Sequence, residues 1–154
     1  MTTHRSMLAA FGFSLLSVAM ASAQEPARTV GPVSAVEAFH EALTKGDREQ
    51  ALAWLDPSVV IFESGGAERS RDEYASHHLP SDIEFARSVR TEVLNRQTGL
   101  WGDNAWVLSR TRTTGTFRDR DLDSQDVETM VLRRIDGRWL IVHIHWSSRP
   151  SAPR

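Results

Sequence analysis

Four of the six histidines in this 154-residue chain fall in two tight pairs, His77-His78 and His143-x-His145. The second pair lies in the run Trp139-Leu140-Ile141-Val142-His143-Ile144-His145-Trp146-Ser147, entered through Asp136-Gly137. Side chains alternate along a strand, so His143 and His145 share one face of it. Asp-Gly between two apolar runs marks a hairpin turn, because both central residues need positive φ. An uninterrupted register through that turn sets Ile135 opposite Arg138, Leu132 opposite Ile141, Met130 opposite His143 and Glu128 opposite His145.

Two imidazoles beside a carboxylate suit two chemistries. In the first, His143 and His145 converge on a divalent metal such as zinc, copper or nickel, with His77 or His78 as a further ligand. Neighbours on a helix point about 100° apart, so one of His77 and His78 faces inward. Glu128, Glu63 and Asp82 are the carboxylates able to ligate or to orient a ring. In the second chemistry His145 is a general base whose ring Glu128 holds. The expected pocket lining of Tyr74, His78, Met130, Trp139 and Ile141 then suits a small, largely apolar carbonyl or hydroxyl compound. The plain alternative is a cross-strand pair that only packs.

Other signals carry less. Asp119 to Asp123 resembles a calcium loop, but Ser124 and Met130 stand where glycine and the bidentate glutamate belong. Arg110, Arg112, Arg133 and Arg134 read as solubilising strand residues. No nucleophile-elbow sequence surrounds Ser147 and Ser148, and Gly65-Gly66 reads as a turn.

The elements that must position these residues follow from periodicity. Residues 1–23 read as a secretory leader: a short basic start, an apolar run from Met7 to Met20, and Ala21-Ser22-Ala23 before the expected cut. The run is too short to span a bilayer, and an exported, secreted or periplasmic product follows. Losing Arg5 takes the net charge from −2 to −3, which argues against nucleic acid as a partner. With no cysteine, the fold has no disulfide and any metal site must use His, Asp and Glu.

Residues 24–31 read as a flexible leader, 32–149 as the folded domain and 150–154 as a frayed tail. Val33, Val36, Phe39, Ala42 and Leu43 recur at helical spacing, Gly46 ends that helix, and Asp47 caps a second. Val59 to Phe62 is strand-like. Ser70-Arg71-Asp72-Glu73 forms a capping box for a third helix, which Pro80 kinks or ends, with Asp82 to Arg87 as a restart. The strand-like runs Ser88–Gly99, Trp101–Phe117, Asp126–Ile135 and Arg138–Ser148 follow, with a charged tip around Arg118 to Ser124.

Helices first and long antiparallel strands after make an α+β domain with helices on one sheet face. In the expected register one hairpin face carries Glu128, Met130, Leu132, Trp139, Ile141, His143 and His145. The other carries Val127, Thr129, Val131, Leu140, Val142, Ile144 and Trp146. Neither is polar enough for solvent, so a second copy is expected on the face the helices leave bare, giving a homodimer.

The opening helix Val33 to His40, the Val59–Glu63 strand, the Glu73-Tyr74-Ala75-Ser76-His77-His78-Leu79 segment and Asp136-Gly137-Arg138-Trp139 leading into His143-Ile144-His145-Trp146-Ser147 resemble the SnoaL-like branch of the nuclear transport factor 2-like superfamily. The resemblance covers nearly all of the mature chain. It implies a cone: a strongly curved sheet with three helices in the first half of the chain enclosing a pocket, dimerising through the outer face. It does not fix function, since the superfamily includes isomerases, dehydratases, cyclases and pockets with no known chemistry. Its steroid isomerases set a tyrosine beside an acid, whereas the one tyrosine here, Tyr74, falls on a helix, and no catalytic set transfers residue by residue. Three function classes remain open: a pocket binding a small ligand or metal through the histidines, an isomerase, dehydratase or hydrolase using His145 and Glu128, and a non-catalytic interaction module.

Overall fold

A computed structural model describes residues 31–151, so the expected leader at 1–23 lies outside the described residues. Helix α1 (Pro32–Lys45) opens with proline in its first turn, where no amide bond is lost, and closes on Gly46 at φ 74°. It buries Ala35, Val36, Phe39, Ala42 and Leu43, the stripe its spacing predicts. Helix α2 (Arg48–Ala53) is capped by Asp47, whose carboxylate accepts the Gln50 amide at 3.0 Å. Strands β1 (Leu55–Glu63) and β2 (Gly66–Glu68) follow.

Helix α3 (Arg71–Ser76) starts at the expected box: the Glu73 amide donates to Ser70 Oγ at 3.0 Å, and Glu73 Oε2 reaches back to the Arg69 amide. The chain then turns at His77-His78 and begins a fourth helix, α4 (Leu79–Ser88), one more than the three expected. Pro80 therefore starts a helix here, because in a first turn its missing N–H costs nothing.

Strands β3 (Val89–Trp101), β4 (Asn104–Phe117), β5 (Arg120–Ile135) and β6 (Arg138–Pro150) complete a six-stranded sheet in the order β2-β1-β6-β5-β4-β3. All pairs are antiparallel except β1 with β6, which is parallel. The Asp136-Gly137 turn has φ 49° and 78°, as its sequence requires. The charged tip is shorter than expected: Arg118 and Asp119 alone turn, at φ 49° and 62°, and β5 starts at Arg120. Arg112 bonded to Asp123, and Thr116 to Asp121, zip the strands to that point. Ser151 bonds Asp123 through its amide at 2.8 Å and its hydroxyl at 2.7 Å, and residues 152–154 of the expected tail lie outside the described residues.

The helices lie on the concave face over a core that includes Phe39, Leu55, Tyr74, Leu79, Met130, Leu132, Ile141 and Ile144. Three bulges bend the sheet: one in β3, one where β1 meets β6, and one in β6. The last redirects the site. Leu132 still faces Ile141, but Val131 then faces His143, with Val142 as the extra residue. Beyond it Met130 pairs with Ile144, Thr129 with His145 and Glu128 with Trp146. This one-residue slip exchanges the two faces of the strand. Ile144 and Trp146 turn inward, while His143 and His145 turn to the outer face.

Candidate functional site

The concave face is apolar through most of its depth and then changes character. One rung across β1, β6, β5 and β4 reads Ile61, Ile144, Met130 and Val107, all buried. The next rung on the same face reads Glu63, Trp146, Glu128, Ser109 and, on β3, Arg96. The Trp146 indole donates to Glu128 Oε2 at 2.8 Å, and Arg96 Nε donates to Ser109 Oγ at 3.1 Å.

Helix α1 closes over this polar rung. His40 Nε2 sits 2.8 Å from the same Glu128 oxygen, and Glu37 accepts from Arg96 at 2.9 Å. Burial alone would raise the Glu128 carboxyl. The His40 ring, the indole N–H and the charge of Arg96 outweigh it and hold the group below its usual range.

At the β1 end the rung meets α3 and α4. Tyr74 is fully buried, and its hydroxyl donates to Asp82 Oδ2 at 2.8 Å. Burial first, and then the charges of Asp82 and Glu63, lift the tyrosine well above its ordinary range. Burial also raises Asp82, against the Tyr74 bond and the nearby His78. It raises Glu63 too, helped by repulsion from Asp82. His78 Nδ1 lies 2.5 Å from Glu68 Oε1, and that bond raises the imidazole. With Nδ1–H given to Glu68, His78 Nε2 is left to meet a ligand. Between them opens a cavity of about 10 Å³, lined by Ile61, Glu63, Glu68, Tyr74, His78 and Trp146 among others. A larger open depression of about 270 Å³ lies farther along the strands, where Asp126 is already engaged by the hydroxyls of Thr113 and Ser124.

The structure divides the residues singled out from sequence. Tyr74 and His78 line the cavity. Met130, Trp139 and Ile141, expected to line it too, are packed in the hydrophobic core. His145 does not stand beside Glu128. The β6 bulge gives that place to Trp146, and His40 supplies the imidazole. His143 donates Nδ1–H to Val60 O at 2.8 Å, and both outer-face histidines pack edge-on to Phe62. They are therefore not gathered with His77 and His78 around one centre. His77 instead joins Glu68 and Glu73, whose ligand atoms all lie within 4.8 Å of one another. Sequence reasoning missed His40 and Glu68. The signal for His40 was its place beside Phe39 on the buried side of a helix, and Glu68 had none beyond being a lone acid after a turn.

Among the described residues no helix is long and apolar enough to cross a membrane. A SnoaL-like domain model matches residues 33–151. The crystal structure of a proposed ketosteroid isomerase from Shewanella frigidimarina NCIMB 400 is 34% identical, with a TM-score of 0.74, over 78% of this chain and 98% of that one. An NTF2-like protein of unknown function from Pseudomonas putida KT2440 is 18% identical, with a TM-score of 0.63, over 75% of this chain and 82% of its own. The CaMKII hub of S. rosetta is 21% identical, with a TM-score of 0.63, over 82% and 98%. The last two share the fold.

Proposed function

The chain belongs to the SnoaL-like domain family, and on that premise we propose that it binds a small organic molecule in the Tyr74–His78 cavity and moves a proton on it. One observation carries this reading: an imidazole held by a buried carboxylate, His78 on Glu68, at the wall of a small open cavity. The roles expected of His145 and Glu128 fall in this reading to His78 and Glu68.

In the step, His78 Nε2 takes a proton from a carbon next to a carbonyl. The C–H electron pair moves into an enolate, and the negative charge comes to rest on the carbonyl oxygen. The Tyr74 hydroxyl, which donates its one proton to Asp82 in the resting site, would turn that proton to the enolate oxygen. Return of the proton from His78 to the γ-carbon of a β,γ-unsaturated ketone is an isomerisation, and departure of a β-hydroxyl as water, carrying that proton, is a dehydration.

The test needs no substrate identity. Small ketones are incubated with the protein in D2O, and deuterium entering the α-carbon is read by NMR. The expected result is exchange that His78→Gln slows by about 100-fold. Equal exchange by wild type and His78→Gln would sink the proposal.

A second reading is favoured by the Glu68, Glu73 and His77 ligand atoms. A zinc, copper or nickel ion there would be lost in His77→Ala and kept in His143→Ala, as elemental mass spectrometry of untagged protein would show.

We also infer that a second copy covers the outer sheet face. Phe62, Leu108 and Val127 are exposed on it, and no described element of the chain covers it. The leader reading adds that the domain works outside the cytoplasm, which cell fractionation would test.

A further inference from the structure

The walls of the cavity are mismatched in charge. Glu63 and Glu68 line it from β1 and β2, and Asp82 stands behind them on the Tyr74 hydroxyl. The imidazole that lines it is His78, which is bonded to Glu68 and whose charge also acts on Glu63 and Asp82. Neither Glu63 nor Asp82 is hydrogen-bonded to that ring. No lysine or arginine figures among the charges acting on either one. The arginines that do pair act elsewhere: Arg96 with Glu37, Arg112 with Asp123, Arg118 with Glu84, Arg133 with Asp56 and Arg134 with Asp103. Asp82 has the Tyr74 hydroxyl as a neutral partner. Among the described residues, nothing hydrogen-bonds or ion-pairs with the Glu63 carboxylate, which lines the cavity beside the rings of Tyr74 and Trp146.

We propose that the ligand carries a protonated primary amine, whose ammonium group seats against Glu63 and the faces of Trp146 and Tyr74. This rests on the reading of the cavity as the ligand site and names the ligand's chemical class. Three arguments converge. An ammonium head is about the size of a water molecule, and a cavity of about 10 Å³ holds roughly one. A carboxylate or phosphate head is larger and would meet the unbonded Glu63 carboxylate. A cation between a carboxylate and aromatic faces gains from both, more so out of water. Glu63 and Asp82 are each raised by burial, so an arriving cation favours their ionised forms and releases protons.

The test uses three molecules of one shape: n-propylamine, 1-propanol and propionate. Each is titrated into the whole protein while the Trp146 indole N–H is followed by NMR, with Trp146→Phe used only to assign the signal. Only propylammonium is expected to give a saturable shift, binding severalfold more tightly at pH 8 than at pH 5. Glu63→Gln should weaken it by roughly tenfold, with the other indole signals unmoved to show an intact fold. Asp82→Asn should weaken it less.

Propionate or propanol binding as well as the amine, or a folded protein that ignores the amine, would overturn the proposal. The two proposals fail separately. Amine binding without any carbon–deuterium exchange removes the proton-transfer reading and leaves the amine class standing. Exchange that is equal for hydroxyacetone and aminoacetone removes the amine class and leaves proton transfer standing.

Discussion

Trp146 donates its indole N–H to the Glu128 carboxylate at 2.8 Å across the β5–β6 pair. The bond joins two parts of the concave face, because Trp146 also forms a wall of the cavity while Glu128 is clamped by His40. Phe39 stacks on the same indole at 6.5 Å between centroids, so helix α1 reads the position of Trp146 directly.

Removing the donor should therefore cost more than packing. Trp146→Phe keeps an aromatic ring and leaves a buried carboxylate one hydrogen bond short, a loss of about 1–3 kcal/mol. Urea denaturation at pH 7 measures it. The cost should shrink in acid. Glu128 has a lowered folded pKa, so its contribution is present above the unfolded value of about 4.3 and is lost as pH falls through the folded one. A penalty that stays constant down to pH 2 would show that the hydrogen bond to the charged form is not what matters.

Glu63 and Asp82 have the opposite sign. Their folded pKa values are raised, so the unfolded chain ionises first as pH rises, and the native state is penalised above the folded values. Glu63→Gln should thus raise the melting temperature at pH 8 and leave it unchanged at pH 3. The gain marks a side chain kept at the expense of stability, as a ligand-facing group would be.

Gly115 sits at φ 146°, and a Cβ there would lie 2.9 Å from Ser88 O and 3.0 Å from Val89 Cα. Both neighbours are backbone where α4 passes into β3, so neither can yield cheaply. Gly115→Ala should destabilise by about 1–3 kcal/mol. Differential scanning calorimetry would check this, with Gly102→Ala, which meets nothing within 4 Å but also has positive φ, as the strain-only control.

The outer face gives the fourth test. Phe62→Glu and Val127→Arg each place a charge on a patch where the native side chains are 43% and 51% exposed. Light scattering should show the wild type as a dimer and both variants as folded monomers. A monomeric wild type would remove the second copy from the proposal.

Much of this was legible before any coordinates. The stripe of Val36, Phe39 and Leu43 announced α1, the Ser70–Glu73 box announced α3, and Asp136-Gly137 fixed the last hairpin, because each depends on neighbours close in sequence. The bulge at Val142 was not legible. Its sequence holds no glycine, and alternation alone puts either His143 and His145 or Ile144 and Trp146 inside. What decides is a sum over the fold: burying Ile144 gains about 1.5–3 kcal/mol, whereas His143 placed there would need a partner the apolar rung does not have. His40 was missed for a related reason. Its partner Glu128 comes from the other end of the chain, and single-helix periodicity cannot show which strand a helix will cover.

The parallel pairing of β1 with β6 bears on how the molecule is made. His143 reaches Val60 across 83 residues, so the central seam of the sheet joins one of the earliest strands to the last. Such non-local closure is slow, because the loop entropy must be spent before the contact returns anything. Until β6 arrives, β1 has only the three-residue β2 beside it, and its other edge is open to any passing strand. The unfinished chain is then a substrate for chaperones, and the step that retires that hazard is the same one that delivers Trp146 to Glu128.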